Sequence, residues 1–316
     1  MTEGVVQRWP VKRLLLVLGL AATAYALALL LGGDDRSASL SVVWSLTGLQ
    51  AAGLCLFSYV LRGLRWRFWM AHYDRHFGWL EGLRLYLAGY AFTPTPGNVG
   101  EAMRGLLLAK QPLPLLQSLA IFGAERLADL LCLLLLCVPA LFWLVRHSAF
   151  EGVTGWSGWL GGLALFAVLV LVVLAAALWR YRQRLQNWQR RFAWLQEAWV
   201  CLSVRPLVWF GLTLAAWAAQ GIAVWLICRA IDVHMMPFTA IGFYAVAMVA
   251  GALSALPAGL GGMELVLASL LAAQGASTAE AVSITVLTRL LTLWLAVAIG
   301  VVALLYSALI RKDIRF

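Results

Sequence analysis

Glu101, Arg126, Glu264 and Arg289 are the residues with the clearest capacity for chemistry, because each lies in apolar sequence where charge is expensive. Glu125 and Asp129 flank Arg126, and Arg104 stands one turn beyond Glu101. At about 2.5 to 3.5 kcal/mol for each charge at a bilayer centre, Glu101, Glu125, Arg126, Asp129, Glu264 and Arg289 would together cost on the order of 15 to 20 kcal/mol facing lipid. They are therefore expected to face one another or water. Arginines so placed can hold an anionic group, and the carboxylates can orient them or carry protons. Glu101 with Arg126 and Glu264 with Arg289 also read as buried ion pairs that clip a segment to the next helix, and an acid three residues into a helix serves as an N-terminal cap. Glu125 and Asp129, four apart, share a helix face, and Arg126 is turned about 100° from Glu125.

The segments that carry these charges are broken. "TPTPGNVGEAMRG", Thr93 to Gly105, sets Pro94 and Pro96 to stop a helix, Gly97 and Gly100 to allow a tight reversal, and Asn98 near the start of the returning half. Pro257, Gly259, Gly261 and Gly262 repeat the device later in the chain. Broken backbone at membrane depth is tolerated only where protein buries it or where it lines a wet cavity. The returning half-helix then points free N–H groups and its positive dipole end inward, an arrangement that attracts anions.

Composition identifies the solvent. Hydrophobic residues make up 63% of the chain and charged residues 12%, whereas a soluble domain carries roughly a quarter charged. The net charge of +10 sits beside apolar spans, so it reads as membrane orientation and not as a nucleic-acid surface. A spanning helix needs about 20 apolar residues, which gives candidates at 14–31, 41–61, 115–145, 157–179, 206–228 and 279–308. The expected fold is an all-α polytopic membrane protein, one integral domain over 1–316, with six full spans and two broken re-entrant hairpins at 83–110 and 238–273. Basic clusters at Arg8 to Arg13, Arg62 to Arg67, Arg180 to Arg191 and Arg311 to Arg315 are assigned to the cytoplasm, with both termini, by the positive-inside rule. The first hairpin then opens to the cytoplasm and the second to the outside.

A repeat supports that arrangement. Pro94 and Pro257, Glu101 and Glu264, Gln111 and Gln274, and Arg126 and Arg289 all differ by 163, as 257 − 94 and 289 − 126 show. Two diverged copies are expected, about 41–145 and 206–308, with 14–31 and 157–179 peripheral. Inverted copies with discontinuous helices meeting near the midplane are a recurrent transporter design. Arg126, about eleven residues into its helix or about 16 Å, lies near that depth.

The other signals are weaker. His72 and His76 have a spacing that can bind metal, but they sit in a basic, Trp-rich segment better suited to an interface. The five cysteines show no metal-ligand spacing, and no nucleotide or hydrolase motif occurs, so no metal or cofactor is expected.

The motifs "PTPGNVGEAMRGLLLAK" with "ERLADL", and "LPAGLGGMELVLASLLAAQG" with "VLTRLLTLW", resemble the flippase-like family named for the transmembrane region of lysylphosphatidylglycerol synthase. The first hairpin departs from it, with Pro-Gly-Asn-Val-Gly in place of the family's usual Gly-Gly pair. The soluble aminoacyl-transferring domain is absent, so synthase activity is not implied. The resemblance implies an eight-segment protein of a bacterial or archaeal inner membrane that moves a lipid or lipid-linked group between leaflets. Its partner would be an anionic phospholipid or polyprenyl-linked species, and the chain itself would not be an enzyme. The expected site comprises Arg126, Arg289, Glu101, Glu264, Asn98, Gly97, Gly100, Arg104, Glu125, Asp129, Gly261 and Gly262. The alternatives are a membrane enzyme using the carboxylates on a lipid-linked substrate, or a scaffold for lipid-modifying enzymes.

Overall fold

Helix starts and stops follow local chemistry throughout the computed structural model, which describes residues 41–93, 95, 101, 102, 104, 113–150, 193–254 and 256–310. Pro94, Pro96, Gly97, Asn98 and Gly100, and the candidate spans 14–31 and 157–179, lie outside the described residues. Helix α1 (Leu46–His72) begins where Ser45 accepts a hydrogen bond from the Gly48 N–H at 3.2 Å, satisfying one of the free donors of a first turn. It ends at His72, and Asp74 just beyond it has a φ of 55°, outside the helical region. Helix α2 (Trp79–Gly89) runs into a 3-10 turn at Tyr90–Phe92. Helices α3 (Leu115–Leu136) and α4 (Val138–Phe150) follow one another closely. Pro139, at the junction, lacks the N–H that an uninterrupted ladder requires.

In the second half, α5 (Ala193–Ser203) precedes α6 (Pro206–Ala230), whose first residue is a proline after the left-handed Arg205. Proline suits that position because its missing N–H would be unpaired there anyway. Helix α7 (Pro237–Leu253) stops before a 3-10 turn at Pro257–Gly259, and α8 (Gly262–Ala273) continues after it. The expected break at Pro257 to Gly262 is therefore present, carried by positive φ at Ala258, Gly259 and Gly261. Helix α9 (Thr278–Arg289) is capped by Ser277, whose hydroxyl accepts from the Glu280 N–H at 3.3 Å while Glu280 accepts from the Ser277 N–H at 2.7 Å. A π-turn at Leu290–Trp294 joins it to α10 (Leu295–Ile310).

The described residues are helical, without strands. Three helices among them are long and apolar enough to cross a membrane: Leu115–His147, Pro206–Ala230 and Thr278–Ser307. These cover three of the six expected spans. The span expected at 41–61 belongs to α1, which carries Arg62, Arg65 and Arg67 and falls outside that group. Leu131, Leu135, Phe142, Val302 and Leu305 project outward from the long helices and are exposed, as side chains facing lipid tails would be.

Helix α1 packs chiefly on α6, α2 on α10, and α7 on α4, α6 and α8, with α3 between α5 and α6. Close approach needs small residues. A Cβ on Gly221 of α6 would come within 2.7 Å of the Ile241 Cα on α7, and one on Gly300 of α10 would meet the backbone of Tyr90 and Ala91. Small residues at such crossings let apolar helices associate by packing alone, where lipid supplies no hydrophobic drive between them.

Candidate functional site

Helix α1 presents Ser58, Arg62, Arg65 and Trp69 along one face, at spacings of four, three and four. The first two arginines of the cluster Arg62 to Arg67, assigned to the cytoplasm by the positive-inside rule, turn into the fold. Helix α1 continues unbroken to His72, Arg65 is fully buried and Arg62 is 9% exposed. The reason lies on α6, where Thr213, Trp217 and Gln220 offer polar groups at matching spacing. Arg65 donates to Thr213 Oγ1 at 2.8 Å, whereas Arg62 donates to Gln220 Oε1 at 3.0 Å and stacks over Trp217 at 3.9 Å. Lower numbers on α1 meet higher numbers on α6, so the two helices run antiparallel here.

Helix α3 supplies the acids. Glu125 and Asp129 share a face as the sequence implied, and that face meets α1. Arg65 Nη1 reaches Asp129 Oδ1 at 2.7 Å, and its Nη2 lies 3.7 Å from Glu125 Oε1. Asp129 also accepts from Trp217 Nε1 at 3.2 Å and lies 3.4 Å from Arg126. Breaking a buried pair strands a charge in a poor solvent, so each member holds the others in place.

Glu101 joins this cluster. Its Oε1 accepts from Thr93 Oγ1 at 2.9 Å, and its Oε2 lies 2.5 Å from Arg104 Nη2 and 3.4 Å from Arg126 Nη2. Arg104 in turn binds Glu125 Oε2 at 3.0 Å and stacks over Tyr86 at 4.3 Å. Gly89 is required at the end of α2 because a Cβ there would occupy the space of the Arg104 side chain. Arg104 therefore joins Glu101 to Glu125, a more central place than its sequence position one turn past Glu101 suggested. Arg126 is the most open of these cations, with 36% of its side chain exposed. Beside them is a cleft with room for about one water, lined in part by Trp66, Glu101, Arg104, Ser118 and Glu125.

The second pair is built more simply. Arg289 Nε lies 2.7 Å from Glu264 Oε1, and Arg289 Nη2 donates to the Ala258 carbonyl at 2.9 Å. Glu264 Oε2 accepts from the Gly261 N–H at 2.8 Å. One arginine and one acid thus clamp both sides of the break before α8, and Gly262 opens that helix. Both acid–arginine pairs, Glu101 with Arg126 and Glu264 with Arg289, span 25 residues.

At the offset of 163, Leu267 stands in the place of Arg104, Thr288 in that of Glu125 and Thr292 in that of Asp129. The first pair sits in a charge network, whereas the matching positions of the second carry a leucine and two threonines. Tyr59 connects the two regions: from α1, one turn before Arg62, it donates to the carbonyls of Leu291 and Thr292 at 3.0 and 2.9 Å. Such π-turns recur at functional positions. Tyr244 completes the link, donating to the same Gln220 oxygen that Arg62 uses, at 3.0 Å.

Of the site residues expected from sequence, Arg104, Glu101, Glu125, Arg126 and Asp129 form one cluster, and Arg289, Glu264, Gly261 and Gly262 form the other. Arg62, Arg65, Tyr59, Thr213, Trp217, Gln220 and Tyr244 were not anticipated. The available signal was the inward spacing of Ser58, Arg62, Arg65 and Trp69 past the end of the apolar run. Among the described residues no group of three His, Cys, Asp or Glu could hold a metal ion. Helix α1 ends at His72, so His72 and His76 do not share a helical face.

The model for the lysylphosphatidylglycerol synthase TM region matches residues 16–300. No curated protein matches the chain.

Proposed function

Because the chain belongs to the lysylphosphatidylglycerol synthase TM-region family, whose members are membrane proteins tied to lipid handling, we propose that it moves an anionic lipid or lipid-linked head group between leaflets. In this reading the two segments broken near Glu101 and Glu264 belong to inverted repeats and face each other within the inner membrane, with both chain termini in the cytoplasm. The head group sits between them, held by Arg126 and Arg289, and the acyl tails remain in lipid. Glu101 and Glu264 orient the arginines or take up protons as the site alternates. The observation that supports it is two acid–arginine pairs of equal chain spacing, each tied to a broken segment, with buried polar contacts of Tyr59, Gln220 and Tyr244 between the helices that carry them. The sequence contains no nucleotide-binding motif, so the movement runs on a gradient or passively. It needs no covalent step.

The test is leaflet transfer of a labelled phosphatidylglycerol in proteoliposomes, read by chemical quenching of the outer leaflet. Arg126→Gln combined with Arg289→Gln is expected to abolish transfer. Transfer by the double variant at the wild-type rate sinks the assignment, whereas recovery of chemically altered lipid from the wild type replaces it with a membrane enzyme.

A further inference from the structure

We propose that Arg62 is a binding site for a phosphate-bearing head group, at the contact of α1 with α6. The proposal deepens the lipid-handling reading and rests on it for the source of the phosphate.

The argument begins with charge. The buried network around α3 holds four cations, Arg62, Arg65, Arg104 and Arg126, and three anions, Glu101, Glu125 and Asp129. Arg65, Arg104 and Arg126 each contact at least one of the three carboxylates. Arg62 contacts none. Its close partners among the described residues are the neutral Gln220 oxygen and the face of Trp217, and Asp129 acts on it only from beyond ion-pair distance. A ring face attracts a cation but leaves its charge in place, and a charge removed from water without a counter-ion is disfavoured.

Local donors point the same way. Arg62 Nε has no hydrogen-bond partner, and neither has Ser58 Oγ, one turn earlier on the same face of α1 and fully buried. Residues four apart on a helix are neighbours, so a hydroxyl and a guanidinium edge stand together with donor capacity unused. Gln220 is fixed by Tyr244 and Trp217 by Asp129, so the guanidinium is held in one orientation. An enclosed guanidinium N–H and a hydroxyl, both unpaired, suit phosphate oxygens by geometry as well as charge.

Lipid phosphodiester and free phosphate share this chemistry, and the experiment separates them. The full chain in neutral detergent is titrated with short-chain phosphatidylglycerol, with short-chain diacylglycerol or with inorganic phosphate, and its melting temperature is followed. Arg62→Gln, Arg62→Lys and Arg229→Gln are run beside the wild type. Arg229 is an exposed arginine that also lies over a tryptophan, Trp225 at 5.6 Å, and serves as the control. The expected result is a rise in melting temperature with phosphatidylglycerol and none with diacylglycerol. That rise should be lost in Arg62→Gln, retained in part in Arg62→Lys and unchanged in Arg229→Gln. A rise with inorganic phosphate alone assigns the site to the free ion. Without lipid, Arg62→Gln should melt no lower than the wild type, because the change removes a buried cation that no carboxylate contacts. An undiminished lipid response in Arg62→Gln overturns the proposal. A lipid-free Arg62→Gln that melts well below the wild type or does not fold also overturns it, since Arg62 would then be a structural counter-ion to the acids. Because the readout is equilibrium binding, it stands even if leaflet transfer fails, and loss of transfer with intact binding leaves the site in place.

Discussion

Arg65 holds the acids of α3 against α1 and α6. It has no exposed surface, and its guanidinium contacts Asp129, Glu125 and Thr213. Arg65→Met leaves Glu125 and Asp129 buried with fewer counter-charges, and removing one partner of a buried pair costs about 3 to 5 kcal/mol. The expected outcome is a clear drop in unfolding free energy in detergent, measured by denaturant titration. An unchanged midpoint would show that Arg104 and Arg126 suffice to hold both acids. Glu101 and Arg126 were legible in sequence because an acid and an arginine stand out in apolar surroundings. Arg65 was not, because it follows an apolar run at the place where arginines commonly meet head groups, and only the helix across from it shows which way it turns.

At the scale of elements, the joints are set by backbone chemistry. The break between α7 and α8 could be read from Pro257, Gly259, Gly261 and Gly262, because positive φ and a missing N–H are properties of the residues themselves. The π-turn at Leu290–Trp294 could not, since nothing in that apolar stretch distinguishes it; two of its carbonyls accept from Tyr59, more than two hundred residues away in sequence. Gly300 lets α10 close on the end of α2, and a Cβ there would press on the backbone of Tyr90 and Ala91. Gly300→Ala forces overpacking in a place where no side chain can yield, at a cost of about 1 to 3 kcal/mol. Thermal unfolding in detergent should show a lower melting temperature. A variant as stable as the wild type would mean that α2 and α10 slide apart freely.

For the whole molecule, the proposed inverted arrangement makes a geometric prediction. A cysteine introduced at Gln111 should react with an impermeant reagent from the cytoplasmic side, and one at Gln274 from the outside. Reaction of both from one side would refute inversion and with it the facing hairpins. The native cysteines at 55, 132, 137, 201 and 228 are all buried, so background labelling should be low. The charge asymmetry between the two halves also belongs to this scale. Arg104, Glu125 and Asp129 have Leu267, Thr288 and Thr292 at the matching positions, so proton uptake, if the cycle uses it, is expected mainly in the first half.

The sequence by itself determined that the chain is a helical membrane protein and that its second apolar segment breaks at Pro257 to Gly262, and it offered the pairing of Glu101 and Glu264 with Arg126 and Arg289 as one reading. Those features follow from transfer cost, from proline and glycine backbone limits, and from a constant offset between rare residues. The tertiary structure alone decided that Arg62 and Arg65 turn inward, that Arg104 bridges two acids and that Arg62 is left without a carboxylate. The physical reason is that a buried arginine is placed by what faces it. Thr213, Trp217 and Gln220 meet α1 only once α6 has packed antiparallel to it.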